Sequence, residues 1–392
     1  MTVESLINRL DGLVSNDTIE EPTDKYMVDG IKPRIVLVPR DLEELRTIMQ
    51  LVNEYKASVI PTIRGTKLFI GNIPKSYDAA LDLGRVANYV KADPEEMVAD
   101  IGVSVSFMDA QNELTRVGRR LPMDPLLSSI SSIGGVMALN LYGPMAHRLL
   151  TTRDLVLRVR AVLPGGHVVK WGTGMIKDVA GYNLKRVFIG SMGTLGVIYE
   201  VNTRLLAVPE VEAVVSIREP MDLRSLRRFM GMGYISINGM TYIRLEGVKE
   251  EVEYRISSIK GEVYYGREAY ELWYRVTSMD ELFDNYPVIL KIITPPAQLG
   301  NIIGLINGYL VTLPMLGIAY VGVSSIDVKT ISNVREEATK VGGYVVVLKA
   351  PLDIKRGIDV WGVTTNVDLM SKLKGVFDPS GIMNPGRFVG GI

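Results

Sequence analysis

Apolar and polar positions along the first half of the chain switch between strand-length runs and helical spacing. Arg34-Ile-Val-Leu-Val38 is a short apolar run with the length of a strand. Asp41 then opens a helix with Glu44 three residues on, a capping-box pattern, and Leu42, Leu45, Ile48, Met49 and Val52 recur on one face. Ser58-Val-Ile-Pro61, Ala79-Ala-Leu-Asp-Leu83 and Met97–Val103 read as further strands, and Phe107–Arg116 as a helix. Leu155–Leu163 and His167–Trp171 flank Pro164-Gly165-Gly166 and predict a hairpin, and Val197–Val201 follows as another apolar strand.

Pro209 breaks this pattern, and the texture changes beyond it. Strands are expected at Val211–Ile217, Thr241–Leu245, Pro287–Ile293, Met315–Val323 and Tyr344–Leu348, with helical stretches at Met221–Met232 and Thr330–Val341. No internal repeat is visible. Ile292–Ile326 carries no charge and is long enough to span a bilayer, but Pro295, Pro296, Pro314 and several glycines cut it at turn-like places. A buried helix over Gln298–Thr312 and a strand over Met315–Ser324 fit it better than a membrane span. The last residues, Phe377-Asp-Pro-Ser-Gly-Ile-Met-Asn-Pro-Gly386, form a dense turn signal.

Composition narrows the function classes. With 392 residues, 47% hydrophobic and 22% charged, the chain is globular and large enough for more than one folded unit. Lys+Arg and Asp+Glu are both 44, so nothing in the overall charge points to nucleic acid. The absence of cysteine excludes disulfides and Cys-ligated clusters within these residues, and His147 and His167 are the two histidines. His167 follows a Gly-Gly turn and reads as a surface residue, and His147 as a structural or surface one. Trp171, Trp273 and Trp361 are expected to pack. The charged opening, MTVESLINRLDGL, lacks the apolar core of a signal peptide, so the expected location is cytoplasmic, with attachment to the inner face of a membrane only through partners.

Two glycine-rich loops carry the candidate chemistry. They are Arg64-Gly-Thr-Lys-Leu-Phe-Ile-Gly71 and Ser131-Ser-Ile-Gly-Gly-Val-Met-Ala-Leu-Asn140, each beside a strand. Glycine lets backbone amides approach a phosphate closely and adopt the conformations that point successive N–H groups at an anion. Neither loop matches the dinucleotide fingerprint or the nucleotide P-loop, and either one alone is equally readable as an ordinary turn.

Taken together, the segments from Val59 to Pro209 resemble the FAD-binding domain of the p-cresol methylhydroxylase/vanillyl-alcohol oxidase superfamily. The matching pieces are Gly65-Thr-Lys-Leu68, Leu81-Asp-Leu83, Leu121-Pro-Met-Asp-Pro125, Ser132-Ile-Gly-Gly135, Asn140, Gly143, Arg153-Asp154, Lys177-Asp-Val-Ala-Gly-Tyr182 and Gly190-Ser-Met-Gly-Thr-Leu-Gly-Val-Ile198. Within the superfamily the chain is most similar to the FAD-binding E subunits of glycolate oxidases. That closer likeness rests on Val360-Trp-Gly362, Leu369-Met370, Lys372-Leu-Lys374 and Phe377–Phe388, and on Arg335 with Gly342-Gly343.

The resemblance implies an α+β fold: an N-terminal helical segment (1–29), a two-subdomain FAD-binding domain (30–209), a cap (210–350) and a C-terminal segment (351–392) returning to the flavin. It also implies roles. Arg64, Gly65, Thr66, Lys67 and Leu68 would wrap the pyrophosphate from one side, and Ser132, Ile133, Gly134 and Gly135 from the other. Pro122 and Asp124 would lie by the ribityl chain and flavin. Asn140 and Gly143 would approach the cofactor, Val197 and Ile198 would meet the adenine side, and Asn384 would close over the isoalloxazine ring. The family's first loop is often richer in glycine than Thr62-Ile63-Arg64, and its usual Tyr-Gly before Arg-Asp is replaced by Leu149-Leu150. No catalytic residue and no metal ligand is assigned.

The function implied is that of the flavin-carrying subunit of a 2-hydroxy-acid dehydrogenase acting on glycolate or D-lactate. Its partners would be a second flavoprotein with a metal site and a cysteine-rich iron–sulfur protein. A self-sufficient dehydrogenase and a non-catalytic flavin-bearing subunit stay open beside it. The histidine that bonds flavin covalently in some relatives has no match, so the FAD is expected to be non-covalent. Mild acid denaturation of the purified protein should therefore release FAD into the supernatant, as read by absorbance and chromatography. A colourless protein that cannot be reconstituted, or flavin retained on the denatured chain, would overturn this.

Overall fold

A computed structural model describes residues 3–174, 183–363 and 365–392. The first half builds two small sheets. One has the strand order Ile19–Glu20, Ile35–Leu37, Ala79–Asp82, Val59–Thr62. Strands 35–37 and 59–62 both run parallel to 79–82, and the helix Leu42–Glu54 makes the crossover that parallel pairing requires. As the sequence predicts, the Asp41 side chain caps this helix, accepting from the amides of Glu43 and Glu44. Glu44 turns instead to the N-terminal segment, accepting from Ser15 Oγ at 2.6 Å, Thr18 Oγ1 at 2.9 Å and the Arg40 amide at 2.9 Å. Burial alone would raise its pKa, but these donors hold the carboxylate at about 2. The short helix Val3–Leu10 is thereby docked on the first sheet, with Leu6 and Leu10 fully buried.

The second sheet is antiparallel, in the order Val90–Asp93, Val98–Gly102, Val197–Arg204, Val156–Val162, Val168–Trp171. Its central strand, 197–204, is buried at every position but Arg204, which accounts for its unbroken apolar start. The hairpin between 156–162 and 168–171 forms where the Pro-Gly-Gly turn predicts it.

Residues 211–349 form one antiparallel eight-stranded sheet, the cap. Its first unit runs strand Val211–Ile217, helix Leu223–Phe229, strands Gly233–Ile237 and Met240–Gly247, helix Lys249–Ser257, strand Glu262–Tyr265. Its second runs strand Val288–Ile293, helix Leu299–Ile303, strands Tyr309–Leu313 and Ile318–Val323, helix Val328–Lys340, strand Tyr344–Lys349. Both are βαββαβ units, joined edge to edge through Ser236↔Thr312 and Ile237↔Val311. The sequence shows no repeat because the two units share an order of elements rather than a pattern of residues. The expected helix over 298–312 is also corrected: it stops at Ile303, and Gly304, Asn307 and Gly308 break the run before the β-branched strand 309–313. No helix among the described residues is long and apolar enough to cross a membrane.

The cap sheet has two differently used faces. On one, Val215, Ile243 and Leu245 pack beneath the helices of the first unit, and Leu290, Ile292 and Val347 beneath those of the second. On the other, Ile289, Leu313, Tyr320 and Val346 join the core of the first two sheets. The helix Gly266–Ser278 seals this inner face over the first unit, burying Trp273 against Arg244 at 5.8 Å from ring centroid to guanidinium. Arg244 is fully buried between Glu212 at 3.0 Å and Glu246 at 3.3 Å, and Glu246 also bonds Arg120 from the first half of the chain. Removing one member leaves an opposite charge buried and uncompensated, which costs more than the pair itself is worth. The substitution Glu246→Gln should therefore lower the unfolding free energy by about 3 kcal/mol in a guanidinium titration, and an unchanged midpoint would show that the cap is held some other way.

Candidate functional site

Two adjoining clefts separate the first sheet from the second. The larger has a volume of about 470 Å³ and its neighbour about 430 Å³, and both are walled by Pro61, Thr62, Ile63, Gly135 and Ala138. They form one channel. At one end lie Thr66, Lys67, Leu68, Ser132, Asn384 and Arg387, and at the other Gly134, Gly196, Val197 and Ile198.

The first glycine loop leaves strand 59–62 and is shaped by Asp82 at the end of the neighbouring strand. Asp82 is 4% exposed and accepts from Tyr26 Oη at 2.7 Å, the Gly84 amide at 3.0 Å and the Arg64 amide at 3.2 Å. Arg64 takes a left-handed conformation (φ 59°), its side chain is exposed, and it lies outside both clefts. The cation in the wall is Lys67. Its largely buried ammonium donates to Ser131 Oγ at 3.0 Å and Thr66 Oγ1 at 3.3 Å, and burial pushes its pKa down to about 8.

The second loop opens the helix Ile133–Leu139. Ser132 caps it by accepting from the Gly135 amide at 3.1 Å. Glycine is required at 134, where a Cβ would stand 2.9 Å from Val103 Cβ and 2.7 Å from Ile63 Cδ1. At 135 a Cβ would enter the channel beside Lys67, 2.8 Å from its Cε. Ile133 is fully buried under the loop and serves as its floor.

The C-terminal segment closes the channel as an added strand edge. Val59 donates to the Ile382 carbonyl at 2.8 Å, and the Asn384 amide donates to the Val59 carbonyl at 2.7 Å. Lys374 fixes the segment, donating to Asp378 at 2.6 Å, Met383 O at 2.7 Å and Thr194 O at 2.8 Å. Asn384 Nδ2 donates to the Met192 carbonyl at 2.6 Å, which leaves its buried Oδ1 without a partner in the channel wall. Arg387, 2% exposed, donates to the carbonyls of Leu68 and Ile70, and Lys355 to those of Phe69 at 2.8 Å and Gly71 at 3.1 Å.

Other expected site residues stand apart from the channel. Asp124 is buried against the cap: its carboxylate accepts from Trp273 Nε1 at 3.0 Å and the Met145 amide at 3.2 Å, and burial raises its pKa to about 7. Gly143 packs on Asp124, whose carbonyl a Cβ there would strike, and Pro122 is buried beside it in sequence. Asn140 ends the helix 133–139 in a left-handed conformation and accepts from the Arg153 amide at 3.0 Å. His147 Nδ1 lies 2.9 Å from the Pro144 carbonyl and its ring 5.3 Å from that of Tyr234, while His167 is exposed at its hairpin. Lys177 and Tyr182 lie outside the described residues. Sequence reasoning assigned no role to Arg387, although it follows directly on the Asn-Pro-Gly turn, and it missed Lys291 on the cap.

Lys291 projects from strand 288–293 on the face turned toward the first half of the chain. It makes no hydrogen bond or ion pair among the described residues and lies 5.3 Å from the ring of Tyr142 and 5.7 Å from that of Tyr320. Burial pushes its pKa down to about 8. The Tyr320 hydroxyl beside it is buried without a partner.

The channel fits a dinucleotide: a long slot with glycines at its waist and, among the described residues, an ammonium without a counter-ion and an unpaired amide oxygen. Residues 33–172 match a family described as FAD binding domain, and residues 363–388 match FAD linked oxidases, C-terminal domain. The chain is 32% identical over 180 residues to glycolate oxidase subunit GlcD of Bacillus subtilis (strain 168), covering 46% of this chain and 38% of that protein. Against glycolate oxidase subunit GlcE of Escherichia coli (strain K12) it is 26% identical over 272 residues, covering 66% and 75% of the two chains. The chain thus spans well under half the length of GlcD and most of that of GlcE. The solved structure of p-cresol methylhydroxylase with substrate bound superposes with a TM-score of 0.73 at 13% identity, over 98% of this chain and 96% of that one. Residues 33–172 thus carry an FAD binding domain and residues 363–388 the C-terminal domain of FAD linked oxidases, the fold is that of p-cresol methylhydroxylase, and the cofactor is FAD.

A carboxylate at 135 would stand beside Lys67, neutralise it and fill the channel waist, so Gly135→Asp should lose FAD. The control is Gly300→Asp, at an exposed position with nothing within 4 Å of a built Cβ. Equal flavin content in purified Gly135→Asp and Gly300→Asp would refute the placement of the cofactor in this channel.

Proposed function

We propose that this chain is the flavin-carrying subunit of an FAD-dependent 2-hydroxy-acid dehydrogenase of the glycolate or D-lactate type. The observation that carries the reading is Lys291. It is a cation without an ion-pair partner among the described residues, held between two tyrosines on the inner face of the cap's second unit. Near neutral pH most of it is protonated, so it can hold a substrate carboxylate, with the Tyr320 hydroxyl free to donate a second bond. When bound, FAD supplies the two-electron acceptor for the carbon bearing the hydroxyl.

The partners expected from the resemblance complete the reading. Oxidation of a hydroxy acid needs a base for the hydroxyl proton, and onward transfer of single electrons needs a redox relay. No histidine follows position 167 and there is no cysteine, so a metal-bearing flavoprotein and an iron–sulfur protein would supply what these residues lack. Glu246, the cap carboxylate nearest to being a ligand, is committed to Arg120 and Arg244. A second reading rests on the same lysine. A group titrating near 8 can also act as base, in which case the chain oxidises its substrate unaided.

Two measurements separate these readings. Titrating FAD-replete protein with D-lactate, glycolate or oxalate should perturb the flavin absorbance, and Lys291→Met should weaken that binding about 10- to 100-fold. In a dye-coupled assay the isolated chain should turn over slowly or not at all; several turnovers per second would establish the self-sufficient enzyme. No perturbation by any 2-hydroxy or 2-oxo acid, with wild-type flavin content, would remove the substrate class.

A further inference from the structure

The channel contains a cation that no carboxylate among the described residues balances. Lys67 Nζ has hydroxyl partners only, Ser131 Oγ at 3.0 Å and Thr66 Oγ1 at 3.3 Å. Among the described residues no carboxylate lines either cleft. The other cation in the wall, Arg387, is committed to the carbonyls of Leu68 and Ile70. A buried ammonium is costly unless an anion meets it, and burial without one favours the neutral amine. The position of the ammonium is equally specific: it lies against Gly135, whose missing side chain leaves room directly in front of it. An anion in the channel waist would therefore touch both glycine loops and this one ammonium.

We propose that Lys67 is the counter-ion of the FAD pyrophosphate, so that binding of the cofactor is linked to protonation of this single side chain. The proposal rests on the assignment of FAD to the channel and goes beyond it, because it makes affinity depend on pH. In the free protein the amine titrates near 8. A pyrophosphate beside it favours the charged form and raises its pKa in the complex. Binding then takes up a proton whenever the pH lies between the two values. Affinity is complete below the pKa of the free protein. It falls as pH rises through and above it, by up to tenfold per pH unit. Ser131, Ser132 and Thr66 face the ammonium from the two loops and do not titrate in this range, and Arg387, which burial pushes down to about 10, still carries its charge through the fall expected near 8.

The test is FAD and ADP binding to flavin-free protein by calorimetry between pH 6 and 10, in buffers of different ionisation enthalpy. Wild type should bind FAD with a Kd that is flat at low pH and rises above about 8, with proton uptake in that range. Lys67→Met should weaken FAD and ADP alike by about 10- to 100-fold and abolish the pH dependence. Lys67→Arg should restore most of the affinity and keep it flat to pH 10. The melting temperature of flavin-free Lys67→Met should equal or exceed that of wild type, because the variant loses an uncompensated buried charge. If that variant does not fold, the wild-type pH profile and Lys67→Arg decide the matter alone. Weaker FAD binding with unchanged ADP binding would place Lys67 on the flavin ring and overturn the proposal, as would a pH-independent wild-type Kd. Failure of wild type to bind FAD at any pH would instead overturn the assignment of FAD itself.

Discussion

Two buried cations hold the first glycine loop in shape. Arg387 and Lys355 donate to the carbonyls of Leu68, Phe69, Ile70 and Gly71, so four successive acceptors are satisfied by side chains arriving from 284 to 319 residues further along the chain. A loop with this many carbonyls turned inward has no secondary-structure partner for them, and unpaired buried carbonyls would melt it. Burial weakens the hold of each cation on its proton, which makes the carbonyl contacts the main compensation that Arg387 receives. The channel's geometry thus depends on the docking of the tail, which in turn depends on Lys374 and on the strand-like pairing of Asn384 with Val59. Loop, tail and cofactor wall are one cooperative unit.

Much of the first half of the molecule was legible in its sequence, because short apolar strands there are separated by strong turn signals. The strand cores at 35–37, 59–62, 79–82 and 156–162 and the helices at 42–54 and 107–116 stand where periodicity puts them. The cap was less legible. Strands 233–237, 262–265 and 309–313 were missed, being short and marked by tyrosine and serine rather than by clean alternation. Within the site, Thr66, Lys67, Leu68, Ser132, Gly134, Gly135, Val197, Ile198 and Asn384 line the channel. Asp124, Asn140 and Gly143 stand outside it, in the joint between the cap and the loops. A motif records which residues occur together, and it does not say which of them touch the ligand and which support those that do. Lys291 left no signal at all: a lysine in an apolar strand reads as an edge or surface position until the opposing sheet is known.

The cap shows how one sheet can serve two ends. Its first unit spends its inner face on stability, through helix 266–278 and the Arg244 ion cluster. Its second unit leaves Lys291, Tyr320 and Tyr344 turned toward Tyr142. The division explains why the buried charges in the two units differ in kind: Arg244 is balanced on both sides, whereas Lys291 meets no carboxylate among the described residues.

The seam between these units has a mechanical consequence. Across it Ser236↔Thr312 and Ile237↔Val311 pair, extended by Asn238, whose amide donates to the Leu310 carbonyl at 2.8 Å and whose Oδ1 accepts from the Leu310 amide at 2.8 Å, whereas strands 288–293 and 318–323 share six paired positions. A ladder resists bending in proportion to the bonds that must be broken, so the sheet is stiff within each unit and creased between them. The half clamped by the ion cluster forms a fixed plate, and the half bearing Lys291 is a leaf attached along a short fold line. Bending along that line would move the leaf relative to the plate while leaving the ion cluster intact.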